Sequence, residues 1–586
     1  MSGTFIFSMI FSILIVYFVG DISKILRNML IMVIFAFSAL FFLQVGGVAY
    51  DLNIFPSGIM SIGFSFRKFG KYMCLLNHAV FFIFMIKDMA KEKHESENSY
   101  FMNMLFLFFA TNLLLFSKNI ETAIVIYEIT IYFILFLITT NINERKTVND
   151  ILFINSILSA IFIIALILLK QKEGQNFATL SYVLLIIVMV GRLFMIPFNS
   201  RFVSELKKAG IILLGYFMFV LFAINISLSN LILSLPLGIS QTVINSSYLV
   251  FVPFMILSLL RALAAEDIKQ MMFFLFTLVI SSLMAYEFRL NVGGLNAIPL
   301  IFSSMVAMTV LLVEIDFIEE TFLTTDLKRL GGISRYLNHS PLIFIMAFIA
   351  LIGLPPISML GSKSFTIDLP FMFKAFYVFS VFAVVLISFK ASALLFFTES
   401  EYSGIAVFDY RKIGSRLYIY FLFAALIFIL LFPFCFNSIC DAIRSSDTGI
   451  SVLIADTDMQ RTGVFLNFAL FIFILISMYL RKKTLPKTSS KPDKRVSEIV
   501  YDSKTILHSF DRNINLNGVN FYGYNEEKSG KFGKYADLDG AVRFLSGMIS
   551  DIGGFSVKFY QRSFTAVFLI VIIFVIAFAL LSGVVL

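Results

Sequence analysis

Tryptophan is absent from this 586-residue chain, and cysteine is confined to Cys74, Cys435 and Cys440. No CxxC spacing occurs, which excludes a thiol redox pair and a cysteine-based zinc site. The four histidines, His78, His94, His339 and His508, are scattered and form no HExxH or related pattern. No metal or cofactor is expected on these grounds. Charge is scarce as well: 14% of residues are Asp, Glu, Lys or Arg, against 59% hydrophobic, which excludes an ordinary soluble protein of this size. The formal net charge of +9 is modest and lies mostly in short polar segments and the tail. That is the distribution of a positive-inside membrane protein, so the bilayer is the expected partner and nucleic acid is not. With Trp missing, the interfacial aromatic belt falls to Tyr and Phe.

What the chain does contain is long apolar runs, reflected in a mean hydropathy of +0.92. Runs of crossing length lie near 4–20, 29–49, 72–90, 100–116, 120–140, 151–170, 178–198, 209–226, 243–262, 270–286, 297–315, 341–361, 371–398, 417–436, 464–480 and 564–586. They predict an all-α polytopic membrane protein of about 14–16 transmembrane helices. The first run lacks a basic leader and reads as a retained helix. Loops after odd-numbered runs carry most of the Lys and Arg, among them Lys24, Lys91, Arg145, Lys207, Lys269, Arg329 and Arg411. This bias places those loops in the cytoplasm and the N-terminus outside.

The chain divides into helices 1 to 4 over 1–116, with a short hairpin or loop at 51–71, and then two helical regions at 117–262 and 263–436. A loop and helix follow at 437–480, a polar tail at 481–563 and a last crossing at 564–586. Pro486, Pro492 and repeated glycines in the tail disfavour one long lateral helix.

The segment 341–363, PLIFIMAFIALIGLPPISMLGSK, is the most unusual run. Gly353, Pro355 and Pro356 interrupt it, because adjacent prolines remove backbone donors and clash with carbonyls one turn back. Irregular backbone at membrane depth needs shelter in protein or a wet cavity, and so does the nearby Lys363 ammonium. The plainer alternative is a helix that ends at the surface with a snorkelling lysine. Pro197 marks a second candidate break.

Isolated ionisable residues inside apolar runs are the main chemical signal, since each is costly without a partner or water. Glu128 and Arg192 are the strongest, followed by Lys363 and Lys390, with Glu314 and Asp316 closing MVAMTVLLVEID. Opposite charges on separate helices fit an internal ion or proton axis; fixed salt bridges that register the helices are the structural alternative.

The stretch LKRLGGISRYLNHSPLIFIMAFIALIGLPPISMLGSK resembles the GGL, PLT and GxPPxxGFxSK region of the antiporter-like subunits of respiratory complex I and of Mrp-type cation/proton antiporters. RALAAEDIKQMMFFLFTLVISSLM resembles their DIKRxxAYSSxSQ helix, and VIYEITIYFILFLI their FELxxxxxYxLI helix. The resemblance runs in order over about residues 1–440 and is closest to the Mrp-type members. It implies two inverted five-helix repeats with broken helices 7 and 12. It also implies an ion pathway through Glu128, its seventh-helix partner Arg192, Lys269 of the DIK motif, Lys363 and Lys390, carrying protons and, in an antiporter, Na+. The implied partners are other membrane subunits, and the implied location is the bacterial inner membrane. Where the family has lysine on helix 7 this chain has Arg192, which holds its proton at any accessible pH. An eighth-helix lysine is replaced by Leu213, with Lys208 as the alternative register, and the HAxxK segment becomes Asn296, Ala297 and Leu300. Three readings stay open: an Mrp-type antiporter subunit, a proton-pumping complex I subunit, and a non-conducting structural paralogue.

Overall fold

The computed structural model describes residues 2–44, 51–55, 62–65, 68–89, 97–139, 145–170, 175–198, 210–233, 243, 246–290, 298–322, 324–327, 330, 340–353 and 371–397. The fold is an all-α bundle with one small hairpin. Its helices are α1 (Ser2–Ile22), α2 (Lys24–Gln44), α3 (Lys68–Met89), α4 (Glu97–Leu115), α5 (Ile120–Thr139), α6 (Arg145–Lys170), α7 (Gln175–Phe198) and α8 (Ile211–Leu233). There follow α9 (Val252–Ala264), led by a 3-10 turn at Ser247–Phe251, then α10 (Ile268–Leu290), α11 (Ile298–Phe322), α12 (Ser340–Gly353) and α13 (Phe371–Ser392), which ends in a π-helical turn at Ala393–Phe397. Among the described residues, 6 helices are long and apolar enough to cross a membrane.

The helices form where apolar runs leave no water to hydrate the backbone, so each segment must satisfy its own hydrogen bonds. Their outer faces stay apolar: Phe11, Phe18 and Ile25 on α1 and α2, Phe153 and Ile164 on α6, and Val378 and Phe382 on α13 are all exposed large hydrophobics. A soluble bundle would place polar side chains there. The bundle is built around α8, which touches α3, α4, α5, α7, α10 and α11, and every residue from Ile211 to Ser229 is buried. A helix this apolar on all sides belongs inside protein. Close approach is set by Gly215, where an added Cβ would lie 2.7 Å from Phe84 of α3 and 3.4 Å from Leu312 of α11.

The 51–71 region does contain a hairpin, with strands β1 (Asp51–Phe55) and β2 (Ile62–Ser65) antiparallel and a register irregularity between Asn53 and Phe55. The helix after it starts within that region, at Lys68. The hairpin packs on the α4–α5 turn: Lys118 N–H donates to the Gly63 carbonyl at 3.0 Å, and Gly63 N–H donates to Thr122 Oγ1 at 2.9 Å. The division at 262/263 falls in the last turn of α9. Helix α7 continues through Pro197 to Phe198, and α12 ends at Gly353. Pro355, Pro356 and Lys363, the crossings expected at 417–436, 464–480 and 564–586, and the 481–563 tail all lie outside the described residues.

Candidate functional site

Helices α6 and α7 pack closely where α7 carries Gly191, since a Cβ there would lie 2.7 Å from Leu158 Cδ2 of α6. The next residue is Arg192, which is 1% exposed. Its Nη2 forms an ion pair with Glu128 Oε1 of α5 and donates to Ser159 Oγ of α6 at 2.6 Å. Ser159 Oγ lies 2.7 Å from Glu128 Oε2 and 2.9 Å from the Asn155 carbonyl. Its single hydroxyl hydrogen can go to either acceptor. The guanidinium carbon stands 4.5 Å from the centroid of the Tyr127 ring and 5.6 Å from that of Phe162, a cation–π cradle that suits a planar ion and not an ammonium.

Three helices thus converge on one charge pair in an apolar bundle. Several polar atoms around it have no hydrogen-bond partner among the described residues: Arg192 Nε and Nη1, the Tyr127 hydroxyl, and both amide atoms of Asn155. Unmatched donors and acceptors of this kind are uncommon in protein interiors and mark a place where water or a transferred proton can be held.

Lys269 sits in the first turn of α10 and donates from Nζ to Glu319 Oε1 of α11 at 2.6 Å. Its neighbour Asp267 is the N-cap of α10, with Oδ1 accepting from the Lys269 N–H at 2.8 Å and Oδ2 accepting from Thr325 Oγ1 at 2.6 Å. Burial pushes the Asp267 carboxyl above its usual range, partly offset by those hydrogen bonds. Backbone bonds from Ile268 to Thr325 and from Leu327 to Glu266 lock this turn to the segment after α11.

Lys390 of α13 reaches the C-terminal end of α9, donating to the carbonyls of Ala262, Leu263 and Ala265 at 3.2, 2.8 and 2.5 Å. An ammonium placed there satisfies carbonyls that the helix itself leaves unpaired and meets the negative end of its dipole.

Several polar contacts lay beyond sequence reasoning. Lys87 of α3 pairs with Asp316 at 3.4 Å and Glu320 at 2.8 Å on α11. Tyr100 of α4 donates to Asp88 at 2.7 Å, and Ser340, at the start of α12, donates to Glu314. On α10, Glu287 is 1% exposed and accepts from Ser229 of α8 at 2.5 Å. Leu213, at the position of the family's eighth-helix lysine, is buried in the apolar core. Among the described residues, no group of three or more His, Cys, Asp and Glu side chains is arranged to hold a metal ion.

No family model matches the sequence, and no curated protein matches it either. Solved structures do match the fold. A chain of the membrane-bound sulfane sulfur reductase (MBS), an archaeal respiratory membrane complex, aligns with TM-score 0.62 and 15% identity over 78% of this chain and 98% of that one. A chain of respiratory complex I from Thermus thermophilus gives 0.57 and 14% over 75% and 98%. A chain of the Mrp complex from Dietzia sp. DQ12-45-1b gives 0.61 and 13%, covering 98% of this chain and 72% of that one. This chain therefore has the all-α polytopic fold found in chains of respiratory complex I, MBS and Mrp assemblies.

Proposed function

We propose that the chain is a proton-translocating, antiporter-like subunit of a multisubunit cation/proton antiporter in a prokaryotic inner membrane, working alongside other membrane subunits. The observation that carries this reading is the buried Glu128–Ser159–Arg192 cluster on three converging helices, surrounded by unmatched polar atoms. An ion pair needed only to register helices has no use for unmatched groups around it, whereas a proton path needs hydratable ones. Arg192 is a fixed charge that biases the Glu128 carboxylate and does not itself release a proton. Lys363 is the titrating base of the second half, because a desolvated lysine next to a helix break can be neutral in its working cycle.

The test is proton flux in vesicles holding the full assembly. Glu128→Gln and Lys363→Ala each lower flux at least about tenfold, while Arg192→Lys preserves or raises it. A parent assembly that moves no protons would sink the proposal. It would leave the second reading, a non-conducting structural paralogue, which is favoured by one observation: the Lys390 ammonium is fully engaged in capping α9. Membership of a complex I-type pump in place of an antiporter is decided by purifying the assembly and asking whether redox subunits come with it.

A further inference from the structure

We propose that Glu287 is a second proton-binding site, separate from the Glu128–Arg192 pair, held as a carboxylic acid on α10 against a polar stripe of α8. Its carboxyl is enclosed, and the single hydrogen bond made to it among the described residues comes from Ser229 Oγ at 2.5 Å. Oε1 receives no donor there. Ser229 shares a helix face with Asn225, one turn earlier, whose Oδ1 is another buried acceptor without a donor. Two bare acceptors beside an apolar core are short of a hydrogen, and protonating Glu287 supplies one.

Among the described residues no cation is available to do that work. Of the helices packed on α10, α7 offers Tyr182, whose hydroxyl is bonded to Ser247 at 3.3 Å, and Arg192, which is turned to Glu128. The 3-10 turn carries Tyr248, α9 carries Arg261, α11 its acids from Glu314 to Glu320, and α13 carries Lys390 on the α9 carbonyls. None of these pairs with Glu287. An ionised carboxylate without a countercharge at this depth is strongly disfavoured, so a bound proton is the way the side chain reaches charge balance.

Position gives the site a use. Glu287 lies 18 residues beyond Lys269 on α10, roughly 27 Å along the helix. Lys269, Glu314, Asp316 and Lys87 all sit toward the end of the bundle where the basic loops lie. Glu287 and Ser229 sit at the other, so a proton arriving on that side finds its own acceptor there.

Protonation of Glu287 is independent of transport, whereas its role in transport rests on the translocation reading above. Both are tested on the full assembly in lipid vesicles. Infrared difference spectra across a pH titration should show a carboxylic-acid carbonyl band that disappears in Glu287→Gln and shifts in Ser229→Ala. The serine variant decides the matter alone if the glutamine variant does not assemble. No change in that band in either variant overturns the proton site, and so does loss of the band on adding Na+ at constant pH, which would assign the carboxylate to a metal cation. In the same vesicles Glu287→Gln should lower proton flux about tenfold, with partial recovery in Glu287→Asp; unaltered flux removes the transport role. A parent without flux removes the translocation reading while the infrared band still decides the proton site.

Discussion

Glu128 and Arg192 are opposite charges that could be recognised in the sequence because each stands alone in an apolar run. The structure brings them together across 64 positions. Breaking the pair from one side strands a buried charge. Glu128→Ala should destabilise the protein by about 3–5 kcal/mol, and adding Arg192→Met should recover most of that. Thermal unfolding of the detergent-solubilised assembly measures both, and a double variant no more stable than Glu128→Ala would show that the arginine is not stranded. Ser159 and Asn155 were not legible, since serine and asparagine within a membrane helix carry no charge signal and their partners come from other helices. Glu287 and Lys87 were missed for a different reason. They lie beside helix ends, next to Arg289 and Asp88, where charge reads as interfacial; only the packing of α8 on α10 and of α3 on α11 encloses them.

At the scale of single helices, the DIK motif has a structural explanation that does not involve ion movement. Asp267 caps α10, and its removal in Asp267→Ala should cost about 1 kcal/mol, while Asp267→Asn keeps the cap. The pH dependence follows from the raised carboxyl. A carboxyl raised by folding favours the native state most at pH below the ordinary aspartate range, and that contribution fades as pH rises through the raised value. Asp267→Asn should therefore flatten the acid-to-neutral part of the stability profile, and an unchanged slope would assign that slope to other groups. Lys390 shows the same limit on sequence reading: a lysine in an apolar run signals that it must have partners, without saying whether they are an ion path or three carbonyls. Close packing is likewise hidden. A Cβ at Gly70 would meet the Leu115 carbonyl oxygen at 2.9 Å and the Phe116 ring at 3.0 Å, whereas one at Gly210 meets nothing within 4 Å. Gly70→Ala should lower the melting temperature measurably and Gly210→Ala should not, because backbone, unlike a side-chain tip, cannot turn aside.

For the whole molecule, the apolar runs were enough to foresee the order of the described helices, since periodic hydrophobic length is the dominant signal in a membrane chain. Which helix occupies the centre was not foreseeable. Attention falls on 341–363 for its prolines, yet the bundle is assembled around α8, an unbroken apolar helix whose sequence differs little from lipid-facing ones. The topology can be checked from the charge distribution. Lys87, Glu319, Lys269 and Ser340 all lie at ends of α3, α11, α10 and α12 that adjoin loops rich in Lys and Arg, so one face of the bundle collects both the basic loops and this polar network. The K/R bias puts that face in the cytoplasm. In a variant lacking Cys74, Cys435 and Cys440, single cysteines at Ser2 and Asn141 sample the two sides. A membrane-impermeant maleimide applied to intact spheroplasts should label Ser2→Cys at once and Asn141→Cys only after permeabilisation. The opposite pattern would invert the orientation and turn the Glu287 end toward the cytoplasm, exchanging the sides on which the two proposed proton sites are filled.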